Sequence, residues 1–450
     1  MQGEEGGLFG GNQRDGGHAI VRIKPIGAGG GGVERSAGSL SDGEGSIKYG
    51  DGQIEVQTAS SRKKYSYPRH VISPEVKNEG VFAKFLPHRI EAFFQGINVN
   101  LMCYGQTGSG KTHTIFGTPG IMERAGRGEF GMSAAEGYGI FPRALLEIFG
   151  RMKGEPVGEC QLTCSVIELD MIQGNKCLFD VGRARMEQQG FASAESFGVT
   201  IDRSQKPPTM YGMEEVLLEN EEDIVRTFAA ISTRNTAGTG MNDSSSRTHC
   251  FATLKLFRRI GDGSGKQVQI SRFQFVDLAG SERLKEASGT SDYRDSSQAF
   301  GGMITNYSLT MLGQACNALV QQRRKEKKRN LKPKPFSFRA YLFDLVMLLS
   351  ESLTGKALST VCVCVSQAPS NASQSAFTLE FGSTFSKLDV DGKCRPVKPR
   401  SLEALLRQYE KQKAEVEALL SKKSIPAKYV NIRTAQLTEA RQMLAVLRQF

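Results

Sequence analysis

The stretch Val99 to Thr114 constrains this chain more than any other. Val99-Asn100-Leu101-Met102-Cys103-Tyr104 is apolar enough to form a short buried strand, and Gly105 to Thr112 follow it in the pattern G-x-x-x-x-G-K-T. Glycines let successive backbone N–H groups curl around a phosphate with no Cβ in the way. Lys111 would reach the outer phosphates and the Thr112 hydroxyl would ligate a divalent cation. A helix starting near Lys111 would point its positive end at the anion. The alternative is a glycine-rich turn with a chance lysine. The preceding strand, and a following run with no proline before Pro119, weigh against it.

The match extends beyond a generic phosphate loop. Tyr104-Gly105-Gln106-Thr107-Gly108-Ser109-Gly110-Lys111-Thr112-His113-Thr114 resembles the loop of the kinesin motor domain almost letter for letter. Two more stretches follow in the order this resemblance implies. Asn242-Asp243-Ser244-Ser245-Ser246-Arg247-Thr248-His249 resembles the first kinesin switch, with Thr248 where serine is usual. Asp277-Leu278-Ala279-Gly280-Ser281-Glu282 matches the second. The chain is identified on these motifs as a member of the kinesin superfamily.

The resemblance implies an α/β P-loop NTPase of kinesin type, with a central, mostly parallel twisted sheet and helices on both faces. It covers residues 18–388, after a lead-in over 1–17. The implied ligands are ATP and Mg²⁺. Gly105, Gln106, Thr107, Gly108, Ser109, Gly110, Lys111, Thr112 and His113 would bind the nucleotide. Arg22 and Pro25 would flank its base, with Lys24 in place of a usual arginine. Ser246 would complete the Mg²⁺ shell with Thr112, and Asp277 would act through water. The Gly280 N–H would sense the γ-phosphate. Arg247 and Glu282 resemble the pair that closes over the γ-phosphate and positions the attacking water, and Asn242 is counted with them. His113 and His249 read as packing or nucleotide-edge residues rather than proton carriers.

Lys and Arg number 58 against 47 Asp and Glu, a net charge of +11, which favours an acidic partner. The resemblance makes that partner the microtubule, and the expected location the cytoplasm and its cytoskeleton. Arg323, Arg324, Lys325, Lys327, Lys328 and Arg329, then Lys332 and Lys334, read as a basic loop with a single acid, Glu326. With Arg339 these are the candidate track contacts. Lysines usual in the family at this surface are Tyr307 and Leu342 here. Nine cysteines are scattered without zinc-type spacing, the pattern of buried reduced thiols. No apolar run is long enough to span a membrane.

Residues 18–25 read as a first strand stopped by Pro25, and 27–45 as a Gly/Ser-rich loop. Gly117 to Gly139 reads as a long loop, Ile140 to Phe149 as a helix, and Leu162 to Glu168 as a strand. Glu219 to Arg234 reads as a helix, and Phe251 to Leu256 and Gln267 to Val276 as hairpin strands. Residues 389–400 read as a linker and 401–450 as a helical neck broken at Pro426. Leu402, Leu405, Tyr409, Val416 and Leu419 keep heptad spacing, which fits either a dimer coil or a helix folding back on the motor.

Two rivals to an ATP-driven microtubule motor follow from the same residues. A microtubule-binding kinesin-like ATPase that does not move would explain Tyr307 and Leu342. A nucleic-acid-dependent P-loop ATPase would explain the charge but not the two switches.

Overall fold

The computed structural model describes residues 18–25, 46–50, 52–67, 71–170, 175–179, 199–202, 209–211, 213–234, 247–261, 266–282, 296–341, 343–388, 394–421 and 427–450. The lead-in, the Gly/Ser-rich loop, the first-switch residues 242–246, Leu342 and Pro426 lie outside them.

The chain opens with β1 (His18–Lys24), a small antiparallel sheet of β2 (Ile47–Gly50), β3 (Gln53–Gln57) and β4 (Arg62–Ser66), and the short β5 (Val71–Ile72). Helices α1 (Asn78–Phe85) and α2 (Pro87–Phe94) lead into β6 (Val99–Tyr104), then α3 (Lys111–Ile115), α4 (Ile121–Ala125) and α5 (Ile140–Lys153). Strands β7 (Cys160–Leu169), β8 (Lys176–Cys177), β9 (Thr200–Asp202), β10 (Thr209–Tyr211) and β11 (Val216–Leu217) precede α6 (Glu221–Ser232). Next come β12 (His249–Ile260), β13 (Gln267–Asp277), α7 (Ser296–Lys328), α8 (Asp344–Leu348), α9 (Ser350–Leu353), β14 (Leu358–Ser366) and α10 (Ala372–Phe385). Short β15 (Arg400–Ser401) precedes α11 (Leu402–Leu420) and α12 (Ala427–Leu447).

The large sheet runs β11-β7-β12-β13-β6-β14-β1-β5. It is mixed. From β13 to β5 neighbouring strands are parallel, and from β11 to β13 they are antiparallel. The parallel order expected from the sequence therefore holds in the half that carries the phosphate loop. The other half is antiparallel because β12 and β13 form a hairpin, which needs no crossover helix.

Strand alternation sends β6 side chains to two helical layers. Tyr104 stacks on Phe381 of α10 at 4.0 Å between ring centres. Its neighbour Cys103 faces the other way, towards Cys364, whose Sγ lies 3.8 Å from Thr114 Oγ1 of α3. On that same face Phe273 and Phe275 of β13 meet Phe93 of α2 and Phe141 of α5. β6 is buried along its whole length, and its one polar side chain apart from Tyr104, Asn100, donates to Gln274 Oε1 at 2.9 Å. No disulfide joins any of the nine cysteines, and eight are buried.

Helix boundaries have local causes. Asn220 and Asp223 form a reciprocal capping box that starts α6. Residues 117–139 are not an open loop. They hold α4, with Ile121, Met122 and Ala125 buried, and Tyr138 is fully enclosed.

After residue 393 the chain turns back onto the large sheet. The Val397 N–H donates to the Gly96 carbonyl at 2.8 Å, and the Gln269 amide reaches the Val397 carbonyl at 2.8 Å. β15 then pairs with the start of β13. α11 and α12 form an antiparallel hairpin whose Leu402, Leu405, Met443, Val446 and Leu447 bury Phe257 and Val268. Of the two expectations for the heptad face, the fold-back is the one observed. Leu402, Leu405 and Val416 are covered within the chain.

This hairpin carries a pH sensitivity. Glu439 of α12 has its carboxyl pushed up to about 7 by burial, with Glu215 raising it further and Lys255 opposing. Lys255 and Glu215 are ion-paired, and Thr163 Oγ1 also donates to Glu215. The folded pKa lies above the unfolded one, so the native state binds the extra proton. Stability is fully present below the unfolded pKa near 4.5 and is lost as pH rises through about 7. The loss amounts to at most about 3 kcal/mol. Hydrogen exchange in α12, corrected for intrinsic rates, is expected to quicken between about pH 5 and 7 and level off above, and Glu439→Gln to abolish that change. A pH-independent wild type would refute it.

Candidate nucleotide site

The phosphate loop leaves β6 at Tyr104 and turns on Gly105, Gly108 and Gly110, with φ of 156°, 74° and 99°. Gly105 has a packing reason as well. A Cβ there would stand 2.3 Å from the Cys364 carbonyl oxygen on β14. Lys111 Nζ donates to the Gln106 carbonyl at 2.8 Å, across the loop. Burial pushes its pKa down, while Asp277 and Glu282 push it up.

The second switch lies alongside this loop because β13 is parallel to β6, with Asp277 level with Cys103. The Ser281 N–H donates to the Gly105 carbonyl at 3.1 Å. Thr112 Oγ1 donates to Asp277 Oδ2 at 2.7 Å. Gly280 is required by contact, since a Cβ would meet Thr107 Oγ1 at 2.2 Å. Both Glu282 oxygens are held by Thr107, from its N–H at 2.8 Å and its hydroxyl at 2.6 Å. In this state the loop's own donors hold Glu282, and the pairing with Arg247 stays a sequence expectation. Asn242 and Ser246 fall outside the described residues, so their places in the site stay as sequence expectations.

Sequence reading missed three supports. Arg234, at the end of α6, sends Nη1 to Asp277 Oδ2 at 2.9 Å and Nε to Glu168 Oε1 at 3.1 Å. Thr248 Oγ1 also donates to Glu168, at 2.6 Å. Asn78 of α1 accepts from Arg22 at 2.5 Å and donates to the His113 carbonyl at 2.9 Å. Arg22 has a structural role beside the one expected of it. Its guanidinium donates to Asn78, Thr114 and the Val76 carbonyl, and so braces α3. Lys24 reaches the loop instead, donating to the Gly108 carbonyl at 2.9 Å. Pro25 is exposed at the strand end. Burial lowers the His113 pKa, with Arg22 adding to the effect, so the ring is neutral at pH 7.

The donor set fits Mg²⁺, a hard cation that takes oxygen ligands. Thr112 offers a hydroxyl, and Asp277 Oδ1 is buried with no protein partner. Gln106 Oε1 and Ser109 Oγ are likewise buried and unpartnered beside the loop.

Comparison with known proteins decides the family. A model of the kinesin motor domain matches residues 36–388. The chain belongs to the kinesin motor domain family. This kinesin-family chain is 30% identical to kinesin-like protein cut7 of Schizosaccharomyces pombe over 71% of its length and 27% of that protein. It is 27% identical to KIF7 of Homo sapiens over 73% of its length and 23% of that protein. To KIF11-B of Xenopus laevis it is 27% identical over 82% of its length and 32% of that protein. The chain thus spans about a quarter to a third of these relatives. Among solved structures, a fast kinesin superposes with TM-score 0.63 at 19% identity, covering 86% of this chain and 94% of that one. A KIF14 dimer in complex with a microtubule gives 0.63 at 22%, covering 83% and 94%. Both likenesses carry the fold.

The basic stretch departs from its expected form. Arg323, Arg324, Lys325, Lys327 and Lys328 are helical, in the last turns of α7, and only the residues from Arg329 onward leave the helix. Glu326 is 8% exposed and accepts from Gln322 Nε2, Arg323 Nη1 and the Lys334 N–H. It therefore clamps the following segment back onto the helix. Arg323 is consumed in that clamp, its side chain 14% exposed and that of Glu326 10%. Arg324, Lys325, Lys327, Lys328, Arg329, Lys332, Lys334 and Arg339 are exposed. Tyr307 on α7 is 52% exposed and packs edge-on against Phe343 at 5.2 Å.

Proposed function

We propose that this chain is a microtubule-stimulated ATPase that couples hydrolysis to movement along microtubules, located in the cytoplasm on its cytoskeleton. The observation that carries the reading is the joining of the phosphate loop to the second switch through Thr112–Asp277 and Thr107–Glu282. Phosphoryl transfer to water needs positioning and charge stabilisation more than covalent chemistry. Lys111 and the loop N–H groups hold the β- and γ-phosphates. Thr112 and, from the sequence, Ser246 would hold Mg²⁺, with Asp277 acting through water, and the bound ion would neutralise phosphate charge. Gly280 offers its N–H to the γ-phosphate. Glu282 gives up Thr107 to reach Arg247 and position the attacking water. A second reading, a microtubule-binding ATPase that does not move, is favoured by Tyr307 where the family has lysine. Dimerisation through the neck is disfavoured by the covered heptad face of α11.

ATPase assays with and without microtubules, alongside co-sedimentation, test the proposal. Stimulation by microtubules and not by DNA or RNA is expected, and no stimulation would defeat it. A gliding assay separates the two readings.

The exposed cations make a further expectation. Each exposed ion pair is worth roughly 0–1 kcal/mol, so their effect on an acidic track is collective. Screening weakens it above ~0.15 M salt, where the Debye length is about 8 Å. Arg323 belongs to the Glu326 clamp and is left in place. Changing Arg324, Lys325, Lys327, Lys328, Arg329, Lys332 and Lys334 to Ala is expected to raise the half-saturating microtubule concentration severalfold at low salt, with basal ATPase unchanged. Wild-type affinity in that variant would end the electrostatic account.

A further inference from the structure

Both switch segments reach α7 through one helical turn. Thr305 Oγ1 donates to the Arg247 carbonyl at 2.9 Å, which ties the end of the first switch to the helix. Within the turn, Ser308 Oγ donates to the Thr305 carbonyl at 2.7 Å. On its other side Ser308 Oγ lies 3.1 Å from His249 Nε2, and His249 Nδ1 lies 3.0 Å from the Ala279 amide nitrogen. Ala279 directly precedes Gly280 in the second switch.

Donor accounting fixes the tautomer. A backbone N–H can only donate, so Nδ1 accepts and the ring proton sits on Nε2. That proton goes to Ser308 Oγ, whose own proton is committed to Thr305. Every donor has one acceptor and none is left over. The ring stays neutral, its pKa lowered to about 3 by burial and by the Arg234 and Lys111 cations. His249 is 1% exposed and Ser308 is fully buried.

The rest of the buried face of α7 explains why this turn matters. Leu309, Leu312, Ala315, Cys316 and Leu319 pack apolar side chains inward. Apolar contact is non-directional and sets no axial position along the helix. Hydrogen bonds do, because they weaken steeply when misaligned. Thr305 and Ser308 are therefore where α7 is registered against the two switches.

We propose that His249 and Ser308 are positioning residues that lock α7 to the Ala279–Gly280 backbone, so that a shift of the second switch is transmitted to the helix. This rests on the nucleotide-site reading above. Ser308→Ala removes the acceptor for Nε2 while leaving every nucleotide-site residue in place. In the full chain, basal ATPase and ATP affinity are expected to stay within about twofold of wild type. The microtubule-stimulated rate is expected to fall about 5- to 10-fold. Ser308→Thr, which keeps the hydroxyl, restores it. Adding His249→Ala to Ser308→Ala brings no further loss of coupling, as expected for two members of one link. Hydrogen exchange gives a readout that needs no microtubules. Between ADP and a non-hydrolysable ATP analogue, wild type changes protection in both 277–282 and 305–312. Ser308→Ala keeps the first change and loses the second. A wild-type exchange response of α7 in Ser308→Ala overturns the proposal, as does undiminished stimulation. Absence of stimulation in wild type overturns the motor reading instead, and the exchange result still decides this one.

Discussion

Lys111→Ala is expected to lower ATP turnover by about 10²- to 10³-fold or more, with the chain still folded. The ammonium spans the loop to the Gln106 carbonyl at 2.8 Å, and at 6% exposure it works in a site largely shielded from water. A fixed charge acts there at a lower effective dielectric than in bulk, so no solvent ion replaces it. The sequence suggests a lysine facing only ligand. The structure shows one that also offsets Asp277 and Glu282, the two carboxylates that raise its pKa against burial. Truncation therefore leaves those carboxylates less compensated, and a modest loss of stability should accompany the loss of activity. Turnover at saturating Mg-ATP and equilibrium unfolding in urea, measured together, separate the effects. Unchanged turnover in a folded variant would sink the phosphate-loop assignment.

What could be read in the sequence was whatever chemistry is contiguous along it. Residues 105–112 carry their own geometry because a phosphate cradle is made by consecutive backbone groups, and the 277–282 motif is read the same way. The supports of that site were not legible. Arg234 links Asp277 to Glu168, Thr248 holds Glu168 in turn, and no local pattern marks a residue whose partners lie 66 and 43 positions away. The bracing role of Arg22 is not legible for the same reason, since Asn78 and Thr114 come to it through the fold. The basic stretch is a different kind of error. A charge run suggests a loop, yet Gln322–Glu326 and Arg323–Glu326 are i,i+4 and i,i+3 pairs, which is a helical signal. The antiparallel half of the sheet follows from the hairpin at 251–276, since strands joined by a short turn pair antiparallel. The fold-back of α11 was one of two readings because a heptad face reports only that something apolar covers it.

Arg234→Ala is expected to destabilise the chain by about 3–5 kcal/mol, although Arg234 touches no residue of the phosphate loop. Its side chain is 2% exposed, as is that of Asp277, while Glu168 is 13% exposed. Two carboxylates share this one guanidinium, so truncation strands both charges in the interior. The usual cost of breaking a buried pair then applies, rather than the small value of a surface bridge. The guanidinium also sits 5.7 Å from the Phe116 ring centre, a contact that truncation removes as well. Arg234→Lys should recover only part of the loss. An ammonium restores the charge but cannot present two donors in one plane to Asp277 Oδ2 and Glu168 Oε1. The functional consequence follows from Asp277. With Arg234 gone, only the Thr112 hydroxyl orients that carboxylate, and Mg-ATP affinity should fall in Arg234→Lys even where the variant is mostly folded. Urea unfolding gives the first quantity and titration with a fluorescent nucleotide, with and without Mg²⁺, gives the second. A loss below about 1 kcal/mol would show that the interior around Asp277 is wet enough to solvate both carboxylates, and the bracing role assigned to Arg234 would fall with it.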